Sequence, residues 1–267
     1  MSKVIGMISI KGGVGKTTIS ASLASALSII HDKKVLLVDA NYSAPNLGLH
    51  MDIVEPESTI HDVLAGRVRL SDTIHSRFGV DVVPGSYFYN GKFNMLKLKD
   101  RLKTVKRDYD FIIIDSSPNV NDEILSTVLA SDGLFIVSTP DYPTLSCSLR
   151  AAKIAKQRGK KVYGIILNKI KNPRYEINLQ DIEVVMDLPV VARIPEDSTG
   201  LKALFHRKPI SVYNKRSRFA KEIRKLSSVL SDKKERKSVW DVLFPSDLRR
   251  EEVNRQLLRK ALHGEKA

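Results

Sequence analysis

The stretch Ser9-Ile10-Lys11-Gly12-Gly13-Val14-Gly15-Lys16-Thr17-Thr18 combines the residue types and spacing that hold a polyphosphate. Gly12, Gly13 and Gly15 allow backbone N–H groups on either side of Val14 to turn toward phosphate oxygens. Lys16 offers a point charge to β- and γ-phosphates, and the Thr17 hydroxyl, with Thr18 behind it, is placed to ligate Mg²⁺. A loop of this kind works only when a strand delivers it and a helix leaves it, because the positive end of the helix adds to the anion site. The apolar run from Val4 to Ile10 reads as that buried strand, and Ile19 to Ile30 repeats at helical spacing. Strand, glycine loop, lysine, hydroxyl and helix together predict a phosphate-binding loop.

Two further acids end apolar strands. Lys34 to Val38 leads into Asp39, and Tyr109 to Ile114 leads into Asp115. A buried strand that projects one carboxylate toward the loop is suited to a magnesium shell, directly or through water. The elements around these residues follow one rhythm. Further strands are predicted at Gly79–Gly85, Gly133–Asp141 and Lys161–Lys169. Short helical pieces are predicted over Thr59–Leu70 and Leu70–Ile74. An amphipathic helix is predicted at Leu96–Val105, with Leu96, Leu98, Leu102 and Val105 inward, and another helix at Thr144–Gly159. Candidate strands alternating with helices predict an α/β fold: a mostly parallel twisted sheet flanked by helices, with phosphate at the carboxyl ends of the strands.

The loop departs from the general Gly-x-x-x-x-Gly-Lys-Thr pattern, with Ile10 at the first glycine position and Lys11 after it. In this form it resembles the deviant Walker A loop of the MinD/ParA family of P-loop ATPases, nearest to archaeal MinD-like members. Asp39 with Pro45-Asn46-Leu47-Gly48 resembles the first switch segment of that family, and Ser116-Ser117-Pro118-Asn119 the second. Ile194-Pro195-Glu196-Asp197 matches its adenine-side loop, in which backbone groups read the purine. The resemblance covers roughly residues 3–230. It implies ATP and Mg²⁺ as ligands, with Lys11, Lys16, Asp39 and Asn41 as catalytic residues and Thr17, Asp39 and Asp115 around the metal. It implies ATP contacts from Lys11 through Thr18 and from Asn168, Pro195, Glu196 and Asp197. Lys11 is implied to reach the partner's phosphates in an ATP-dependent homodimer.

Three positions shape these expectations. Asn41 stands where the family has a second aspartate; an amide orients water but takes no proton, so hydrolysis is expected to be slow. Asn119 replaces a glycine and tolerates positive φ. Lys171 follows Asn168 where a guanine-reading loop has an aspartate, and a cation cannot accept from guanine, so adenine is favoured. The resemblance implies a spatial switch in cell division or in positioning of cellular machinery. Alternatives are a ParA-like segregation ATPase binding DNA non-specifically, a slow nucleotide-gated scaffold, and a metabolic ATP-dependent ligase on the same fold; Lys11 favours the dimer over the last.

Composition bounds the rest. The chain has 267 residues, a net charge of +14 and a single cysteine, Cys147. The length suits one α/β domain and the charge suits anionic partners. The lone cysteine excludes an internal disulfide and argues against an iron–sulfur relative. The start at Met1-Ser2-Lys3 runs directly into a strand, so the expected location is cytoplasmic, peripheral to the inner face of the membrane if the tail binds lipid. From Lys202 to Lys225 the only acid is Glu222; Arg216, Arg218, Lys221, Arg224 and Lys225 are expected to face outward, either as a solvated face or as a patch for DNA or lipid. The ATPase domain is expected over residues 1–231, a charged linker over 232–238 and an amphipathic tail over 239–267. In the tail Trp240, Leu243 and Phe244 precede a helix capped by Ser246 and striped by Val253, Leu257, Leu258, Ala261 and Leu262. Arg249, Arg250, Arg255, Arg259 and Lys260 could meet anionic headgroups; Glu251, Glu252 and the narrow stripe favour docking on protein. The activating partner and cargo carry no signature in the chain.

Overall fold

The computed structural model describes residues 2–171, 174–233 and 250–264. Eight strands form one sheet in the order β3-β4-β2-β5-β1-β6-β7-β8. They are β1 (Lys3–Ile8), β2 (Val35–Ala40), β3 (His75–Arg77), β4 (Val80–Val83), β5 (Phe111–Ser116), β6 (Gly133–Ser138), β7 (Lys161–Ile170) and β8 (Val190–Pro195). Every pairing is parallel except β3 with β4. The central strands β1, β2, β5 and β6 are almost wholly buried, as runs covered on both faces must be.

The first helix, α1 (Lys16–His31), packs on the face that also carries Ile5, Met7, Leu37, Ile113 and Phe135. Short helices α2 (Leu47–His50) and α3 (Ile60–Ala65) follow β2. On the other face α4 (Leu98–Lys103) and α5 (Asp122–Ala130) cover the sheet, and α6 (Tyr142–Gln157) and α7 (Leu179–Met186) follow β6 and β7. After β8 come α8 (Thr199–Phe205), α9 (Ile210–Tyr213), α10 (Arg218–Leu230) and α11 (Arg250–His263). No helix among the described residues is long and apolar enough to cross a membrane.

Three expectations change. Two strands beyond those expected, β8 and β3, complete the sheet; β3 is His75, Ser76 and Arg77, so no apolar alternation announces it. Leu96 is 42% exposed, because it lies in a 3₁₀ turn (Met95–Lys97) whose tighter winding turns it off the face that buries Leu98, Leu102 and Val105. Lys225 does not face outward: it pairs with Glu222 at 2.9 Å and lies beside Glu252 of α11.

The apolar stripe predicted for the last helix is split. Leu258 is buried and Leu262 packs against the core, while Val253 and Leu257 stay exposed. Polar groups share the docking. Asn254 Nδ2 donates to Val190 O at 2.8 Å and Arg255 Nη1 to Val191 O at 3.1 Å, satisfying carbonyls of edge strand β8. Buried Arg255 pairs with Glu222 at 3.6 Å, and Arg250 pairs with Glu183 of α7. Gly264, at φ +77°, ends the helix. Trp240, Leu243, Phe244, Ser246, Asp247 and Arg249 lie outside the described residues.

Candidate functional site

The loop between β1 and α1 has the geometry its glycines require. Gly13 and Gly15 adopt φ of +78° and +88°, where a side chain is strained. A Cβ on Gly15 would also come within 2.3 Å of Asn168 Nδ2. That amide donates to Val14 O at 2.7 Å, so Asn168, on β7, braces the loop from its far side. The first turn of α1 then presents Lys16 and Thr17.

Strand register brings the acids together. Asp39 on β2 stands directly opposite Asp115 on β5, and β1, which delivers the loop, pairs with β5 on its other side. Asp39 accepts from Asn41 N at 3.0 Å and Leu47 N at 3.1 Å, which pins the segment after β2 across the strand end. Lys16 is buried, with Nζ 3.5 Å from Asp115 Oδ1 and donating to Ser116 O. Thr17 Oγ1 donates to Asn46 Oδ1 at 3.1 Å, leaving its lone pairs free. Ser20 was not anticipated: one helical turn beyond Lys16, it donates to Asp115 Oδ1 at 3.0 Å. The i, i+4 relation to Lys16 is the signal that would have found it.

The donor set fits a hard divalent cation. Asp115 Oδ2 is buried without a hydrogen-bond partner. Burial, and the charge of Asp115 beside it, push the Asp39 carboxyl up to about 7. Two carboxylates converging with nearby hydroxyls are what Mg²⁺ relieves. No group of three or more His, Cys, Asp or Glu side chains is arranged for a metal among the described residues. A cation here would therefore draw its remaining ligands from phosphate oxygens and water.

Asn41 is buried at the same strand end. Its Nδ2 donates to Ala44 O, and its Oδ1 is buried without a partner. That oxygen can accept from a water but cannot hold its proton. The two switch-like segments are joined directly: Asn119 Nδ2 donates to Ser43 Oγ at 3.1 Å, which donates to Glu123 at 3.2 Å.

Lys11 lies outside this cluster, half-exposed, 3.6 Å from Asp141 at the N-cap of α6. Together with Gly12, Gly13 and Lys171 it borders a cavity of about 350 Å³ between the loop and the exits of β6 and β7. Pro195 ends β8 in register with Ile170, and Glu196 N donates to Ile170 O at 2.9 Å. Glu196 pairs with Lys171 at 3.1 Å. The Asp197 carboxylate accepts from Thr199 N at 2.9 Å and Phe219 N at 3.4 Å, so this side chain ties the strand exit to α8 and α10.

Comparison with known proteins agrees with this geometry. Residues 2–156 match the family model described as an AAA domain. An uncharacterised ATP-binding protein of Methanocaldococcus jannaschii is 33% identical over 86% of this chain and 88% of its own length. The sporulation initiation inhibitor protein Soj of Bacillus subtilis is 30% identical over 82% of this chain and 94% of its own. Among solved structures, the septum site-determining protein MinD of Pyrococcus horikoshii, complexed with Mg-ADP, superposes with a TM-score of 0.81 at 31% identity, covering 85% of this chain and 95% of that one. With the loop, the paired acids and the sheet order in one arrangement, the chain belongs to the MinD/ParA family of P-loop ATPases.

Proposed function

We propose that this protein is a MinD-like, Mg·ATP-dependent ATPase that dimerises with ATP and acts as a spatial switch in cell division or in the positioning of cellular machinery. The observation that carries the reading is the buried pair Asp39 and Asp115, held opposite each other with Lys16 and Thr17 at the mouth of the glycine loop. Mg²⁺ bound there would neutralise phosphate charge. Lys16, now bonded to Asp115 and Ser116 O, would turn to the β- and γ-phosphates. Asn168 and the backbone of Pro195, Glu196 and Asp197 would face the adenine. The domain spans residues 1–231, followed by a linker over 232–238 and a C-terminal extension over 239–267.

Turnover in this reading is slow. Asn41 has a free buried acceptor to orient a water and no carboxylate to take its proton. The tie from Asn119 through Ser43 to Glu123 makes the two segments that sense the γ-phosphate move together. Lys11, half-exposed at the rim and paired with Asp141, would swing to a second copy's nucleotide. Light scattering with ATP and with ADP tests this. A dimer is expected with ATP and not with ADP, and Lys11→Ala should bind ATP yet stay monomeric. An ATP dimer unchanged in Lys11→Ala would remove the cross-subunit role.

A further inference from the structure

The basic stretch before and within α10 is not a uniformly charged face. Between the end of α1 and the α9–α10 turn lies a groove of about 330 Å³. Ile29 and Ile30 of α1 line it, 48% and 47% exposed, and Val212 of α9 lines it too. Lys215, Arg216 and Arg224 supply its cations, and no carboxylate lines it. None of the three cations has an acidic partner among the described residues. Arg224 Nη2 donates to Lys215 O at 2.9 Å, which holds the guanidinium at the rim.

We propose that this groove receives an acidic amphipathic helical segment of a partner protein. Apolar anchors would cover Ile29, Ile30 and Val212 while carboxylates met Lys215, Arg216 and Arg224. The charge of the rim selects an anion, and the apolar floor selects against a bare phosphodiester backbone, which needs cations but no such floor. A bilayer is entered by protruding apolar groups, whereas this surface is concave and takes groups in. Arg216 lies in the turn before α10 and Arg224 reaches back to Lys215 O, so the cations gather along one rim of the groove. The groove lies at the opposite end of α1 from Lys16, so the inference stands apart from the nucleotide reading.

Fluorescence anisotropy on the full chain tests it. The probe is a labelled 14-residue helical peptide with Leu at i, i+3, i+4 and i+7 and Glu at the flanking positions; its controls carry Gln or Lys in place of Glu. The Glu peptide should bind wild type at least ~10-fold more tightly than the Gln peptide. Ile29→Ser/Ile30→Ser should abolish that binding. Lys215→Glu/Arg216→Glu should reverse the preference, binding the Lys peptide instead, a gain that a misfolded variant could not show. Unchanged ATP affinity in both variants would confirm an intact fold. The proposal is overturned if wild type binds no peptide, or if the isoleucine variant binds the Glu peptide as wild type does. It is equally overturned if these substitutions release duplex DNA or phosphatidylglycerol vesicles while leaving peptide binding unchanged.

Discussion

Lys16→Met is the most informative single change, because Lys16 is expected to matter before any nucleotide arrives. Its ammonium is buried against Asp115, and its side chain and that of Asp115 are 7% and 0% exposed. Methionine nearly matches the volume, so the cavity contribution is small. What remains is Asp115, buried, close to Asp39 and stripped of its cation. Removing one member of a buried ion pair costs about 3–5 kcal/mol, mostly from the uncompensated charge. For a domain of this size that is a fall of roughly 6–20 °C in Tm. The assay is thermal or urea unfolding in EDTA without nucleotide. Asp115→Asn in the Lys16→Met background should restore most of the loss, since the double change leaves no unpaired charge. A Lys16→Met protein within 1 kcal/mol of wild type, or a double variant no more stable than the single one, would refute the charge argument.

Two other changes probe separate parts of the molecule. Asn41→Asp should speed single-turnover hydrolysis at saturating ATP, up to the ~10²–10⁴-fold that a placed general base supplies; a variant slower than wild type would contradict the account of Asn41. His31 is buried beside Ser227, and burial, with Lys233 and Lys33 nearby, pushes its pKa down to about 4. The unfolded imidazole takes up a proton near 6.5. Stability is therefore held above pH 6.5 and lost as pH falls from 6.5 toward 4. His31→Gln should flatten the drop in Tm between pH 7 and pH 4.5, and an unchanged drop would clear His31 of that role.

Much of the site was legible because its signals are local. Gly13 and Gly15 at positive φ, Lys16 and Thr17 lie within a few residues of one another, and Asp39 and Asp115 each close an apolar run. That the two acids stand opposite each other depends on sheet register, which no local pattern encodes. Asn168 against Gly15 and Asp141 against Lys11 are contacts across more than a hundred residues, invisible to spacing. β3 escaped notice because an edge strand of His75, Ser76 and Arg77 has no apolar face. The last helix was readable as a helix, but not in its mode of attachment. Its narrow stripe and its acids suggested docking on protein, and Leu258 and Leu262 do meet the core, but the ties from Asn254, Arg255 and Arg250 to the carbonyls of β8 and to Glu222 and Glu183 have no local signal.

The central claim is that Asp39, Asp115, Lys16 and the glycine loop form one Mg·ATP site. Titration calorimetry of ATP into the wild-type chain, in Mg²⁺ and in EDTA, addresses it most directly. Binding should be tight with Mg²⁺ and at least ~10-fold weaker in EDTA, and Asp39→Asn/Asp115→Asn should erase that difference without preventing metal-free binding. Equal ATP affinity with and without Mg²⁺, or a metal dependence that survives loss of both carboxylates, would contradict it.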